Sequence, residues 1–169
     1  SILMFRNKTF LSIIPARGGS KRLPRKNVLD LCGKPLITWT IEAGLSSKYL
    51  DEVVVSSDDS EILGIASNLK VRSIERPPQL ASDTSSTFDA VKHTIDNIES
   101  YDYIVLLQPT SPLRNEVHID KAIELLVSKD ADAVISVCDM NHNPSWSNTL
   151  DESLSMKGFI NKNSLNQRS

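Results

Sequence analysis

The chain has 169 residues, 40% hydrophobic and 24% charged, with a net charge of −2. This is ordinary for a globular chain long enough to bury one α/β-sized core, and no apolar run approaches the ~20 residues of a membrane helix. Residues 1–28 carry seven cations and no anions, leaving 12 cations against 21 anions over the rest, and aromatics are only 5%. One local positive feature on an acidic body suits a small anionic ligand better than nucleic acid, which asks for a broad basic face with stacking aromatics.

In chain order, SILMFRNKTF shows no secretory h-region or cleavage site, so a cytoplasmic protein is expected. LSIIP (11–15) is a short continuous apolar run, as in a strand buried on both faces. PLITWTIEAGL (35–45) has helical spacing, with Pro35 suited to a first helical position. EVVVSSDD is a β-branched strand ending in a polar cluster, and SEILGIASNL is a helix that Ser60 is expected to cap. VRSI is a weaker strand. ERPPQLASDTSST is a loop, and FDAVKHTIDNI is an amphipathic helix. YDYIVLLQ (101–108) is the clearest strand, PTSPLRN a loop, VHIDKAIELLVSK a helix and ADAVISVCDM a final strand.

This alternation predicts a Rossmann-like α/β fold, a mostly parallel sheet flanked on both faces by helices. Ligands of such sheets gather at the carboxyl ends of the strands, where the loops after LSIIP, VVVSS and IVLLQ open. The chain is expected to form one domain over 1–169 with its core at about 10–140. The irregular stretch 141–169 reads as the start of a segment cut short, hence a fragment. Cys32 and Cys138 are expected to be buried, reduced thiols.

Three constellations carry chemistry. In ARGGSKRLPRKN the Gly18–Gly19 pair lets backbone N–H groups, with that of Ser20, approach phosphate oxygens, and Arg17, Lys21 and Lys26 supply charge. Neither a Walker A motif nor a G-x-G-x-x-G fingerprint is present; the alternative is a solvated basic loop. LLQPTSPLR offers Gln108 at a strand end, followed by Thr110 and Arg114 in a proline-bracketed turn. ERPPQLASDTSST offers Arg76 and the hydroxyls of Ser85, Ser86 and Thr87, at least one of them an N-cap. Asp58 and Asp59 read as caps and turns more readily than as metal ligands, and no role is assigned to His93, His118 or His142.

In this order and spacing, IPARGGSKRLPRKN, ERPPQLASDTSST and LLQPTSPLR resemble the CMP-sialic acid synthetases (N-acylneuraminate cytidylyltransferases), of nucleotide-diphospho-sugar transferase type, from about residue 10 to the end. QRS at 167–169 resembles the start of the family's sugar-site segment. The resemblance implies transfer of CMP from CTP to the anomeric hydroxyl of a nine-carbon α-keto acid sugar, with release of pyrophosphate and use of Mg²⁺. It implies that Arg17 and Lys21 hold the triphosphate, assisted by Lys26, and that Asn27, Arg76, Ser85 and Thr87 position cytosine and ribose. Gln108 then lies between nucleotide and sugar, and Arg168 serves the sugar or pyrophosphate side. The related eight-carbon-sugar synthetases carry a metal-binding Asp in the turn after this strand. QPTSP has no carboxylate there, which favours the sialic acid branch. In that branch an acidic pair farther on holds the metal, so its ligands are expected past Ser169, along with the sugar pocket and homodimer contacts. Alternatives are the same chemistry on legionaminic or pseudaminic acid, or a non-catalytic nucleotide-binding domain.

Overall fold

The structure is a computed structural model that describes residues 7–19, 23–109 and 115–129. The chain divides into two compact units, Ser1–Lys121 and Ala122–Ser169. In the first, β1 (Phe10–Pro15) is followed by a hairpin of two short strands, β2 (Asp30–Leu31) and β3 (Lys34–Pro35), and by helix α1 (Leu36–Ser46). Then come β4 (Glu52–Ser57), α2 (Ser60–Asn68), β5 (Arg72–Glu75), α3 (Thr87–Asp96) and β6 (Tyr103–Leu106). Helix α4 (Glu116–Ser128) begins in the first unit, and its C-terminal part is what is described of the second. No helix among the described residues is long and apolar enough to cross a membrane.

The four longer strands form one sheet in the order β5-β4-β1-β6, every pairing parallel. β1 is central and buried at all six positions, which explains its unbroken apolar run. Successive side chains of a strand point to opposite faces. Leu11, Ile13 and Val54 turn to one face, where Val91 of α3 packs against them. Val53 turns to the other, where its Cγ2 lies 3.1 Å from the position a Cβ would take on Gly44 of α1. Helices therefore cover both faces, as the alternation predicts.

Three local expectations are corrected. Pro35 precedes α1 rather than opening it, because its ψ of 143° is extended and it pairs with Asp30 in the hairpin. That hairpin has strands of two residues, too short to carry any periodicity. Cys32 lies in its turn at φ 53° and is free but exposed, not buried. Cys138, the ADAVISVCDM strand and the stretch 141–169 lie outside the described residues.

The cap of α2 is Asp59, not Ser60, which is the first helical residue. Asp59 Oδ1 accepts the N–H of Glu61 at 3.0 Å and of Ile62 at 3.1 Å. Arg25, from the loop after β1, donates to Asp59 and Glu61 together. The Arg25 guanidinium holds the Asp59 carboxyl below the usual carboxylate range, helped by the Ile62 and Glu61 N–H groups and opposed by burial. A carboxyl so depressed contributes stability that is present above its unfolded value of about 4 and is lost as pH falls through its lower folded value. Asp59→Ala is expected to cost about 1–2 kcal/mol at pH 7 through the lost cap. The gap to the parent should narrow as pH falls below about 4; urea unfolding midpoints at pH 7 and at acid pH check both.

Candidate functional site

The chain runs from β1 outward through β4 to β5, then returns to place β6 on the other side of β1. In open parallel sheets such a reversal leaves a crevice beyond the carboxyl ends of the central strands. Four segments meet that edge: residues 16–19 after β1, 58–59 after β4, 76 after β5 and 107–108 after β6.

The first segment is held there by backbone and side chain. Ala16 N–H donates to Ser56 O at 2.9 Å, continuing the parallel ladder one residue past β1. The chain then turns through Gly18, which is buried, and Gly19, which is exposed. Gly18 N–H donates to Asp58 Oδ1 at 2.9 Å. Asn27, in a 3₁₀ turn over Lys26–Val28, is buried and returns to the same segment, its Nδ2 donating to Arg17 O at 2.9 Å. Arg25, just before that turn, has a left-handed backbone at φ 58° and fastens the loop to the start of α2 through Asp59 and Glu61.

Gly18 is required by crowding, not by its dihedrals. A Cβ there would lie 2.4 Å from Asp59 Oδ2 and 2.8 Å from Asp59 Cβ, whereas nothing stands within 4 Å of one on Gly19. The Asp59 Cβ cannot swing away as a side-chain tip can, so a larger residue at 18 must dislodge the α2 cap.

Arg76 follows β5 and is 5% exposed. Its backbone N–H donates to Ser57 O at 2.8 Å, and its guanidinium donates to Leu80 O and Ser56 O, each at 3.2 Å. Its Nε and the Oδ1 of Asn27 are buried with no hydrogen-bond partner among the described residues. Burial pushes the Arg76 guanidinium below its ordinary range; the Asp58 carboxylate opposes that shift and the Arg17 cation adds to it. Arg17, Asp58 and Arg76 thus lie within electrostatic reach of one another. Arg17 also donates through Nη1 to Asp83 Oδ1 at 2.8 Å.

The hydroxyl cluster divides its duties. Ser86 caps α3 by accepting the Asp89 N–H at 3.1 Å while Asp89 accepts the Ser86 N–H at 3.0 Å, a reciprocal capping box. Ser85 Oγ donates to Gln79 O at 2.9 Å, bracing the loop. Thr87 Oγ1 accepts from Gln108 Nε2 at 3.4 Å, linking the start of α3 to the end of β6. Arg17, Gly18, Asn27, Arg76 and Gln108 therefore all stand at the carboxyl edge, Ser85 stands on the loop between β5 and α3, and Thr87 is the first residue of α3. Lys26 is half-buried in the 3₁₀ turn and Gly19 lies beside Gly18. Ser20, Lys21, Thr110, Arg114 and Arg168 lie outside the described residues. No group of three or more His, Cys, Asp or Glu side chains able to hold a metal occurs among the described residues. Asp58 and Asp59, weighed as metal ligands from the sequence, are instead engaged with the Gly18 N–H and with Arg25.

Sequence reasoning overlooked Arg25 and Asp83. Both sit in polar stretches, and their partners are 34 and 66 residues away in the chain.

Residues 11–165 match the family model described as Cytidylyltransferase. The N-acylneuraminate cytidylyltransferase of Escherichia coli O18:K1:H7 is 37% identical over 150 residues, covering 88% of this chain and 36% of that protein. The CMP-N,N'-diacetyllegionaminic acid synthase of Legionella pneumophila is 40% identical over 147 residues, covering 83% of this chain and 62% of that protein. Among solved structures, a CMP:2-keto-3-deoxy-manno-octonic acid synthetase complexed with CTP superposes with a TM-score of 0.63 at 27% identity, over 73% of this chain and 49% of that one. The chain spans less than two thirds of the length of each of these proteins.

Gly18→Ala is expected to destabilise the fold by about 1–3 kcal/mol, the usual scale of overpacking, while Gly19→Ala stays within about 0.5 kcal/mol of the parent. Urea midpoints of the two variants make the comparison.

Proposed function

The chain belongs to the cytidylyltransferase family, and from that premise we propose that it transfers CMP from CTP to the anomeric hydroxyl of a sialic-acid-like nonulosonic acid, releasing pyrophosphate. The observation that carries this reading is the convergence of Arg17, the Gly18 N–H, Asn27 and Arg76 at one edge of the sheet, where Asn27 Oδ1 and Arg76 Nε are two of the buried side-chain atoms without a hydrogen-bond partner among the described residues. A buried polar atom left unpaired is costly, so a ligand that satisfies it is favoured. Cytosine carries an amino donor next to ring and carbonyl acceptors, which is the complement of one acceptor and one donor. Uracil and adenine also carry a donor beside an acceptor, so these two atoms fit a base edge in general, and it is the match to the cytidylyltransferase family that favours CTP.

In the proposed site Arg17 and Lys21 hold the triphosphate with the N–H groups of Gly18, Gly19 and Ser20, and Lys26 assists. Asn27, Arg76, Ser85 and Thr87 position cytosine and ribose. Gln108 stands between nucleotide and sugar, and Arg168 serves the sugar or pyrophosphate side. The sugar's anomeric oxygen forms a bond to the α-phosphorus as the bond from that phosphorus to the bridging oxygen of the pyrophosphate breaks, and the hydroxyl proton leaves to solvent. Negative charge grows on the phosphoryl oxygens and on the leaving group, so fixed cations and N–H donors perform most of the catalysis and no covalent nucleophile is required.

Mg²⁺ belongs to the proposed reaction, adding charge neutralisation on the phosphates when bound. No group of three or more metal-ligating side chains occurs among the described residues, so no ligand is assigned to it here. A cytoplasmic homodimer, without nucleic-acid or membrane partners, completes the proposal. Legionaminic and pseudaminic acids are the alternative acceptors, since the nucleotide half of the site does not distinguish them.

Pyrophosphate release by the protein, with CTP and each of the three sugar acids, tests the reaction and ranks the acceptors. Release dependent on both CTP and a nonulosonic acid is expected; CTP binding without release from any acceptor would favour a non-catalytic nucleotide-binding domain. Arg17→Ala should weaken CTP binding by about 1–3 kcal/mol, the scale of a hydrogen bond to a charged group. Gln108→Ala should lower transfer more than it lowers CTP affinity.

A further inference from the structure

Two of the donors assigned to the triphosphate are held, in this structure, by carboxylates of the chain itself. Gly18 N–H donates to Asp58 Oδ1 at 2.9 Å, and Arg17 Nη1 donates to Asp83 Oδ1 at 2.8 Å. The carboxylates come from different places, Asp58 from the end of β4 and Asp83 from the loop between β5 and α3. Both converge on two consecutive residues after β1. A carboxylate and a phosphate present the same kind of anionic oxygen to a guanidinium or a backbone N–H, so one can stand where the other is expected.

We propose that Asp83 and Asp58 are internal counter-anions that compete with the nucleotide's phosphates for Arg17 and for the Gly18 N–H. Nucleotide binding is then an exchange of carboxylate for phosphate oxygen, and these two residues set its affinity. The inference rests on the CTP reading above. The Arg17–Asp83 pair is well placed to exchange, because its side chains are 29% and 37% exposed. Pairs open to solvent to this degree are weakly held, so the contact can open without unfolding anything. Asp59 is different. It caps α2 and engages Arg25, and its side chain is 15% exposed, which marks it as a fixed support. Arg76 adds a further constraint: buried beside both Arg17 and Asp58, it feels their opposite charges. Without Asp58, the free site would gather two cations around an empty anion position, and the carboxylate keeps that arrangement tolerable until phosphate arrives.

The inference predicts an increase in affinity on removing a charged side chain from the binding site. Asp83→Asn should bind CTP about two- to fivefold more tightly than the parent, the fold-change that corresponds to a solvent-exposed ion pair. In an Arg17→Ala background the same substitution should give a smaller gain, since competition for Arg17 is then removed. Asp58→Asn provides a second arm through the Gly18 N–H and should also tighten binding. Asp96→Asn serves as the charge control: its carboxylate pairs with Lys92 at 2.8 Å on α3, and its loss should leave affinity unchanged. CTP affinities by calorimetry, with circular dichroism to establish that each variant is folded, decide the matter. If the parent binds CTP and folded Asp83→Asn and Asp58→Asn bind it no more tightly, the inference is overturned while the CTP reading stands. A gain that Asp96→Asn reproduces, or that is undiminished without Arg17, overturns it too. A parent that binds no CTP overturns the reading and the inference together.

Discussion

The Asp59 carboxylate stands where three segments of the chain meet. It caps α2, receives the guanidinium of Arg25 from the loop after β1, and fills the space where Gly18 would carry a side chain. Each contact is modest alone: a helix cap is worth about 1 kcal/mol, and a half-exposed ion pair less. Their joint effect is geometric. The loop after β1 cannot leave the carboxyl edge of the sheet without uncapping α2, and α2 cannot shift without disturbing Gly18. The Asn27 bond to Arg17 O closes the same loop from its far end. The described ends of the loop, at Gly18 and at Arg25–Asn27, are thereby fixed in place, and preorganised donors are what charge-stabilising catalysis requires.

The electrostatics of the edge follow from that placement. Arg76 is buried at the end of β5, its charge carried by main-chain carbonyls and by Asp58 opposite. Arg17 faces solvent enough to exchange partners. One cation is thus fixed and the other adjustable. The body of the chain is acidic, and three of its later anions, Asp83, Asp59 and Glu61, pair with Arg17 and Arg25. Those pairs offset part of the positive charge concentrated after β1.

Much of the fold is legible in the sequence because its cause is local. β1 declares itself through an apolar run that only a doubly covered strand needs, and β4 through its three consecutive valines. The start of α3 declares itself through Ser86 and Asp89, three residues apart. The α2 cap falls one residue from its expected place because Asp59 and Ser60 are both good caps and only the backbone turn chooses between them. The hairpin at Asp30–Pro35 is illegible, since two-residue strands have no period to read. The site is legible in its residue types and not in its wiring. Nothing in RSIERPP announces that Arg76 is buried, because that depends on Ser56 O lying 20 residues back on a neighbouring strand. The Arg17–Asp83 and Arg25–Asp59 pairs are likewise products of the sheet order, which brings distant loops to one edge.

The account stands on the claim that this edge accepts CTP. Calorimetric titration of the chain with CTP, with and without Mg²⁺ and with UTP and ATP as comparators, addresses it most directly. Saturable binding of CTP in preference to UTP and ATP is the predicted result. Equal binding of all three, or binding of none, would contradict it.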